Sequence, residues 1–274
     1  MKSMTKNIVC ILLIIFSYTS ATYSDNSRST LIIQSTTSTR DSGLYDYLIP
    51  HFNEKFNIKV KVIAVGTGQA INNARNCDGD ILIVHSRQDE EVFIKNGYGI
   101  KRENLMYNDF VIVGPKSDPL NILNYESLKM STRQIALGSE RFISRGDDSG
   151  THKAEMRIWK NIKDDFNKFK QTKLYLETGQ GMGSTLNIAV GLNAYTFVDR
   201  ATWLNFKNKQ NHIIVYEKDP LMKNQYGIIP VNADKCKNIN KELSMIFYDW
   251  ILSTEGKNLI NNYRINGKQL FFTE

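Results

Sequence analysis

The chain has 274 residues, of which 41% are hydrophobic and 23% charged, a balance that allows one large or two smaller globular domains. The formal net charge of +7 fits nucleic acid, a membrane surface or small anions as partners. The lysines are dispersed among Asn and Asp residues, as in segment 160–170, which is typical of a solvated helix face. No nucleic-acid partner is therefore expected.

Residues 1–21 have the pattern of a secretory signal peptide. Lys2 and Lys6 precede an apolar run over residues 8–16, and small or polar residues follow through Ala21. This run is too short to cross a bilayer, which makes a transmembrane anchor the weaker interpretation. We therefore expect cleavage after Ala21 and a periplasmic mature protein.

The rest of the chain alternates short β-branched runs with helical patterns, which predicts an α/β fold with mainly parallel strands. The predicted strands are 30–34, 58–64, 80–85, 110–113, 141–144, 173–177, 195–198, 213–216 and 226–231. Pro50 interrupts a helical stretch, so a kink or a break is expected there.

The clearest helix lies near the C-terminus, where apolar residues recur with a 3.6-residue period and predict a core-facing stripe. They are Ile239, Leu243, Ile246, Phe247, Trp250 and Ile251. Two cysteines, Cys77 and Cys236, follow the signal peptide. An oxidising compartment permits a disulfide, but the sequence leaves open whether the two meet in space.

Four loops that follow predicted strands and begin helices are rich in glycine and hydroxyl residues. They are 35–43, 66–69, 145–152 and 179–185. In an open α/β sheet the ligand crevice lies at the carboxyl ends of the strands, where such loops converge. Helix N-termini attract anions through unpaired N–H groups, and hydroxyls add further donors. The four loops together predict an anion site rich in hydrogen-bond donors.

Each of these loops also has a structural interpretation. Hydroxyl residues before a helix are common N-caps, and the glycines of 66–69 and 179–185 also suit turns. Loop 145–152 is the most specific, because Arg145 offers a planar fork to an oxyanion. Asp147 either holds that fork for a ligand or forms a purely structural ion pair with it.

Several motifs occur in a fixed order between residues 31 and 272. They include T-T-S-T-R-D-S-G-L from Thr36, F-I-S-R-G-D-D-S-G-T-H from Phe142 and G-Q-G-M-G-S-T-L from Gly179. In this order they resemble the periplasmic tungstate-binding proteins of ABC transporters, within the type II solute-binding superfamily. Before the third strand, that family usually has a Gly-Asp-Ala-type segment. This chain has Asn76-Cys77-Asp78-Gly79 there instead.

The resemblance implies two α/β lobes, each a mainly parallel sheet flanked by helices, which are joined by hinge strands and close over one oxyanion. Lobe 1 would comprise 22–111 and 220–274, and lobe 2 would comprise 112–219. The resemblance also implies an inner-membrane ABC transporter permease as partner, no cofactor and no enzymatic activity. A sensor role in place of transport stays open.

The ligand contacts that the resemblance implies come from both lobes. Lobe 1 would supply Ser38, Thr39, Thr67 and Gly68, and lobe 2 would supply Arg145, Ser149, Gly150, Thr151 and the amides of Gly181 and Met182. Tyr195 either touches the site or supports it.

The protonation state of each anion decides which one the predicted loops suit. Tungstate and molybdate are fully deprotonated near neutral pH and need donors only, whereas phosphate carries a proton and needs an acceptor. No predicted loop offers an obvious acceptor carboxylate, although Asp41 and Asp148 stay open as candidates. The R-x-D-x-S-G-T pattern is also similar to phosphate-binding proteins. Tungstate is therefore the first choice, with molybdate and phosphate as alternatives.

A secreted hydrolase with Ser149 as nucleophile is a more distant alternative. The segment Asp148-Ser149-Gly150 suits it, but no recognisable catalytic histidine motif is present. The four histidines, which lack metal-ligand spacing, are His51, His85, His152 and His212. No metal site is expected.

Overall fold

The structure is a computed structural model and describes residues 30–274, so the predicted signal peptide lies outside the described residues. The strands are β1 Thr30–Thr36, β2 Lys59–Val65, β3 Ile81–Val84, β4 Glu103–Pro115, β5 Phe142–Ser144, β6 Tyr175–Glu177, β7 Tyr195–Asp199, β8 His212–Tyr216, β9 Lys223–Pro230, β10 Arg264–Ile265 and β11 Lys268–Gln269. The helices are α1 Thr37–Asp41, α2 Leu44–Phe56, α3 Thr67–Arg75, α4 Arg87–Lys95, α5 Leu128–Leu137, α6 Gly150–Trp159, α7 Lys163–Phe169, α8 Met182–Gly191, α9 Arg200–Asn205, α10 Lys241–Leu252 and α11 Thr254–Asn262.

Nine strands form one sheet in the order β2-β1-β3-β9-β4-β7-β5-β6, and β8 pairs with β4. The pairs β1–β2 and β1–β3 on one side, and β5–β6 and β5–β7 on the other, are parallel. The pairs that involve β4 or β9 are antiparallel. The α/β class is confirmed, and the antiparallel pairs arise because β4 and β9 run between the two parallel groups.

Strand β4 joins the two parts of the sheet. Residues 103–109 pair with β9, whereas the strand pairs with β7 from Phe110 onward. The chain returns through segment 217–222, between β8 and β9. We call the part with β1, β2, β3 and β9 lobe 1, and the part with β5, β6, β7 and β8 lobe 2.

Each lobe has its own hydrophobic core, as a two-lobed fold requires. The lobe 1 core includes Leu31, Ile33, Phe52, Phe247, Trp250 and Ile251. The lobe 2 core includes Phe110, Phe142, Trp159, Phe169 and Tyr195. The predicted stripe of α10 is confirmed for Phe247, Trp250 and Ile251, whereas Ile239 precedes the helix. Within residues 30–274, no helix combines the length and apolar character needed to cross a membrane.

Two local features differ from the sequence predictions. Helix α2 continues through Pro50, so the expected break does not occur. Pro50 is exposed, and water can solvate the carbonyl group that its missing N–H leaves unbonded. The short hairpin β10–β11, which turns at Asn266-Gly267 with positive φ at both residues, was not predicted.

Cys77 and Cys236 form a disulfide with a Cα–Cα distance of 5.3 Å. It joins the loop after α3 to the segment after β9, both within lobe 1. Cys77 has a φ of 64°, so the unusual loop before β3 is a tight left-handed turn. Because 159 positions separate the cysteines, the cross-link strongly restricts the unfolded chain, by roughly 5 kcal/mol on a chain-entropy basis.

Candidate anion-binding site

The two lobes touch where predicted loops from each side meet. The amide of Gly150, the first residue of α6, donates to Thr67 Oγ1 at the start of α3 over 3.0 Å. A Cβ atom on Gly150 would lie 2.7 Å from that oxygen, so glycine is needed for this close approach. Nearer the surface, Lys153 Nζ of lobe 2 lies 2.7 Å from Asp89 Oδ2 of lobe 1. The structure is therefore a closed arrangement of the lobes.

The lobe 1 wall of this interface consists of hydroxyl groups at the end of β1. Thr36 caps the short helix α1, and its Oγ1 lies 3.1 Å from Ser38 Oγ and 2.8 Å from Thr39 Oγ1. All three side chains are buried. Ser38 Oγ is also 3.3 Å from Nε2 of His85, which follows β3. The hydroxyls thus serve partly as caps and partly as a connected polar layer.

The lobe 2 wall is organised around Arg145, which follows β5 and is only 3% exposed. Its Nη2 lies 2.5 Å from Asp147 Oδ2, and the other oxygen of Asp147 accepts from the amide of Ser149 over 3.2 Å. The Arg145 carbonyl accepts from the Gly179 amide over 2.8 Å, which ties loop 145–152 to loop 179–185. Asp147 therefore fixes both the guanidinium and the backbone beside it.

Several buried polar atoms near this interface have no hydrogen-bond partner among residues 30–274. On the two walls they are Arg145 Nε, Thr151 Oγ1 and His85 Nδ1, and in the adjoining network they are the acceptors Asp199 Oδ2 and Asn224 Oδ1. Unpaired buried donors cost free energy, most of all on a charged group, and native proteins rarely retain them without a reason. Thr151 lies next to Gly150 at the N-terminus of α6, where backbone N–H groups and the helix dipole also favour negative charge. An anion would satisfy the donors of this set, Arg145 Nε and the Thr151 hydroxyl.

Burial also sets the protonation of the site. Burial, together with the positive charge of Arg145, lowers the pKa of His85 to about 3, so the imidazole is neutral. Burial raises the pKa of Asp199, at the end of β7, to about 6 although Arg145 opposes that shift. Asp199 Oδ1 caps α9 by accepting from the Thr202 amide over 2.9 Å.

A buried polar network connects the lobes behind these residues. Asn224 on β9 donates to Asn108 Oδ1 on β4 over 2.7 Å and to Tyr226 Oη over 3.1 Å. Asn108 in turn donates to Asp199 Oδ1 over 3.5 Å. Burial raises the pKa of Tyr226, and the nearby Thr39 and Ser38 hydroxyls act to lower it. Because these hydroxyls belong to the lobe 1 wall, the network borders that wall.

Ser149 has the position of a helix cap. Its Oγ accepts from the amide of His152 over 3.2 Å, and the His152 ring accepts from the Asp148 amide through Nδ1 over 3.1 Å. A nucleophilic serine instead needs its hydroxyl to face a base. Within residues 30–274, no group of three or more His, Cys, Asp or Glu side chains is arranged to hold a metal ion.

The PBP superfamily domain matches residues 20–255. The tungstate-binding protein TupA of Peptoclostridium acidaminophilum is 43% identical over 239 residues, which cover 86% of this chain and 82% of that protein. TupA of Campylobacter jejuni is 36% identical over 238 residues, which cover 85% of this chain and 87% of that protein. The chain belongs to the TupA family of the PBP superfamily. This family consists of solute-binding proteins and not of enzymes.

Two solved structures share the TupA fold at substantial identity. The tungstate ABC transporter structure from Geobacter sulfurreducens is 40% identical with a TM-score of 0.78, and the match covers 85% of this chain and 98% of that one. Tungstate-binding TupA from Desulfovibrio alaskensis G20 is 38% identical with a TM-score of 0.77, and covers 89% and 98%. The predicted two-lobed type II fold is thereby confirmed.

The residues predicted as TupA-like ligand contacts fall into two groups. Those that the structure gathers at the buried interface are Ser38, Thr39, Thr67, Arg145, Ser149, Gly150 and Thr151. Gly68 is half-buried and faces Asp148. A Cβ atom on Gly68 would lie 3.4 Å from Asp148 Oδ2. Gly181 is exposed, and the Met182 side chain packs in a lobe 2 core with Val111.

Tyr195, whose role the sequence left open, supports lobe 2. Its Oη donates to Asp118 Oδ1 over 2.9 Å, and its ring packs closely on Gly114. Of the two acceptors left open, Asp148 has a 78% exposed side chain and Asp41 pairs with Arg40 at the surface. Neither supplies a buried acceptor.

His85, Asn108, Asp199, Asn224 and Tyr226 were not predicted as site residues. His85 and Asp199 are polar residues at the carboxyl ends of buried strands, which is the signal that could have identified them. The asparagines and Tyr226 lie within hinge strands whose pairing is not local, so no sequence motif marks them.

Proposed function

We propose that this chain is the substrate-binding component of an ABC transporter and captures a tetrahedral oxyanion, tungstate first, between its closing lobes. The observation that supports this most strongly is the set of buried donors without partners at the lobe interface, Arg145 Nε and Thr151 Oγ1. The relatives named as tungstate-binding proteins, at 43% and 36% identity, support the choice of anion.

The chemistry of the donors favours a deprotonated anion. A charged guanidinium, hydroxyls and helix N–H groups all donate, which suits tungstate or molybdate. Phosphate in its monoprotonated form would need a buried acceptor, which neither the exposed Asp148 nor Asp41, paired with Arg40 at the surface, provides. The buried carboxyl group of Asp199, with Oδ2 unpaired, is the acceptor that keeps phosphate as the alternative. Molybdate has the same shape and charge, so its preference relative to tungstate has to be measured.

The ten predicted ligand residues extend this proposal. The side chains of Ser38, Thr39, Thr67, Arg145 and Thr151 would contact the anion. Gly68, Ser149 and Gly150 would line the site, with the Ser149 and Gly150 amides donating to Asp147 and Thr67 in this arrangement of the lobes. The amides of Gly181 and Met182 would complete the set. For the last two, the supporting feature is backbone geometry alone, because Met182 directs its side chain into the core.

The proposed function also implies a cellular location and lobe boundaries. Residues 1–21 would be removed as a signal peptide, and the mature protein would act in the periplasm beside an inner-membrane permease. Lobe 1 would comprise 22–111 and 220–274, and lobe 2 would comprise 112–219. The change of partner of β4 at Phe110 and the return segment 217–222 support boundaries near these positions.

Calorimetric titration of the purified protein with tungstate, molybdate, sulfate and phosphate tests the function. About seven charge-assisted hydrogen bonds at roughly 1.5–3 kcal/mol each allow about −12 kcal/mol after ordering costs, or nanomolar affinity. We expect tight binding of tungstate and far weaker binding of sulfate and phosphate. Tight phosphate binding without a tungstate response would instead favour the phosphate alternative.

A further inference from the structure

His85 is a buried histidine at the lobe interface that the predicted ligand set does not include. It directly follows β3 at the carboxyl end of the strand and is only 4% exposed. Its ring packs against Tyr226 with centroids 4.9 Å apart and lies 6.3 Å from the Phe110 ring. The contact with Tyr226 restricts the plane of the imidazole, and its two nitrogens face different sides of the interface.

One nitrogen is engaged within lobe 1. Nε2 lies 3.3 Å from Ser38 Oγ, and Ser38 Oγ lies 3.1 Å from Thr36 Oγ1. A hydroxyl chain therefore ends on Nε2, and Ser38 can donate its proton there. The Asn224 side chain also interacts with the ring and acts to raise its pKa, against the larger effect of burial.

The other nitrogen faces lobe 2. Nδ1 is buried and has no hydrogen-bond partner among residues 30–274. A Cβ built on Gly150 would lie 2.8 Å from Nδ1 and 2.5 Å from Cε1, so this edge lies against the first residue of α6. The same helix N-terminus holds Thr151 with its unpaired hydroxyl. Nδ1 thus faces the N-terminus of α6, where Thr151 has its unpaired hydroxyl.

A neutral imidazole has one donor and one acceptor nitrogen. If Ser38 donates to Nε2, Nδ1 carries the proton and points it toward the anion. The opposite tautomer would direct an Nδ1 lone pair at an anion and repel it. We propose that His85 is an anion ligand, which donates through Nδ1–H while Ser38 holds Nε2, and that it favours fully deprotonated oxyanions. This inference rests on the proposed function and adds a residue and its tautomer.

The preference for deprotonated anions follows from the missing acceptor. In this tautomer both imidazole nitrogens are used, one as an acceptor from Ser38 and the other as a donor to the ligand. A monoprotonated anion finds no lone pair on His85 for its own proton. Burial and the Arg145 charge keep the pKa of His85 near 3, so the ring adds a donor without adding a charge.

Replacing His85 by asparagine or by glutamine tests the assignment. The amide nitrogen of Asn can take the place of Nδ1, whereas the amide nitrogen of Gln can take the place of Nε2. His212 provides a matched control: it is 5% exposed, its Nδ1 is also unpaired, and its Nε2 lies 3.2 Å from the Ala194 carbonyl in lobe 2. The variants are His85→Asn, His85→Gln, His212→Asn and His212→Gln, each titrated with tungstate and phosphate.

The expected ratios follow from one hydrogen bond to a charged group. His85→Gln should weaken tungstate binding about 10- to 100-fold, and His85→Asn less than about 5-fold. The His212 variants should stay within about 3-fold of the wild type. Equal losses for the two His85 variants, or no loss in either, would overturn the assignment of His85 alone. Absence of wild-type oxyanion binding would overturn the proposed function together with it.

Nitrogen NMR of the histidine-labelled wild-type protein gives an independent readout that does not depend on the folding of a variant. We expect the His85 ring to carry its proton on Nδ1 and to shift at that nitrogen when tungstate is added, while His212 stays unchanged. A proton on Nε2 of His85 in the tungstate complex would overturn the proposal. Thermal unfolding of each variant without anion separates lost affinity from lost stability.

Discussion

Two arginines occupy comparable positions in lobe 2 but differ in their partners. Arg145 follows β5 and Arg200 follows β7, so both lie at the carboxyl ends of strands. Arg200 contacts both oxygens of Asp109, at 2.7 and 2.5 Å, and Glu217 Oε2 at 2.6 Å. Arg145 pairs with Asp147 alone in the described residues and keeps a buried Nε without a partner.

The difference shows how pairing decides the role of an arginine. Asp109 lies on β4 and Glu217 on the return segment, so Arg200 ties together both connections between the lobes. Two carboxylates offset its charge and occupy its donors. Arg145 is more deeply buried, has one carboxylate, and retains donor capacity at the lobe interface. Arg200 therefore stabilises the hinge, whereas Arg145 is available to an anion.

The largest effect is expected at Arg145. Arg145→Ala should weaken tungstate binding by about 3–5 kcal/mol, because it removes the charge and leaves Asp147 without its partner near the anion. Arg145→Lys should cost roughly 1–2 kcal/mol, since the charge remains and the planar fork is lost. Titration calorimetry measures both.

The control for this change is Arg40→Ala. The Arg40 side chain is 55% exposed and pairs with Asp41 at the surface, so its removal should cost less than about 0.5 kcal/mol of affinity. If Arg145→Ala kept its tungstate affinity while Arg40→Ala lost it, the anion would bind at the loop of Arg40 and not at the loop of Arg145.

A second prediction concerns Glu155 on α6, which is buried and contacts Ser144, the residue before Arg145. Its carboxylate accepts from Ser144 Oγ over 2.7 Å, and from Trp159 Nε1 and Tyr175 Oη over 2.9 Å each. Burial raises its pKa from 4.5 to about 7. The folded protein therefore binds more protons than the unfolded chain in this range, and its stability falls as pH rises from about 4.5 to 7.

Glu155→Gln should remove this part of the pH dependence, up to roughly 3 kcal/mol in the free energy of unfolding. Urea unfolding of both proteins at pH 5 and pH 8 provides the comparison. Identical differences between the two pH values in wild type and variant would show that Glu155 does not titrate as its burial implies.

The smallest effect is expected at the hinge. Arg200→Ala should lower the free energy of unfolding by about 1–2 kcal/mol, because the ion-pair network is partly exposed, with 20% of the Arg200 side chain accessible. Tungstate affinity should change less than about 3-fold. The contrast with Arg145 would break down if Arg200→Ala abolished binding while leaving stability unchanged.

The sequence predicted the features that depend on local periodicity. All nine central strands occur close to their predicted positions, and the core stripe of α10 is largely correct. The first half of β4 was missed because Asn104, Asn108 and Asp109 interrupt its apolar pattern, and its pairing with β9 joins distant parts of the chain. Asn266-Gly267 is a hairpin signal in the sequence, and it lies outside the predicted strands.

The candidate site was likewise predicted only where local sequence decides the structure. Glycine and hydroxyl loops after strands predicted an anion-binding edge, and the resemblance to a known family indicated which loop residues belong to it. The sequence could not establish that Asp147 holds one side of Arg145 and leaves Nε unpaired. The links from His85 to Ser38 and from Asn224 to Asn108 likewise depend on tertiary packing.

A crystal grown with tungstate and measured at the tungsten absorption edge tests the central claim most directly. The account predicts one strong anomalous peak at the lobe interface, about 4 Å from Arg145 Nε, Thr151 Oγ1 and His85 Nδ1, the distance set by an intervening oxygen. A groove of about 450 Å³ beside Arg200, lined by Tyr107 and Phe272, provides the contrasting location. A tungsten peak in that groove, with none beside Arg145, would contradict the account.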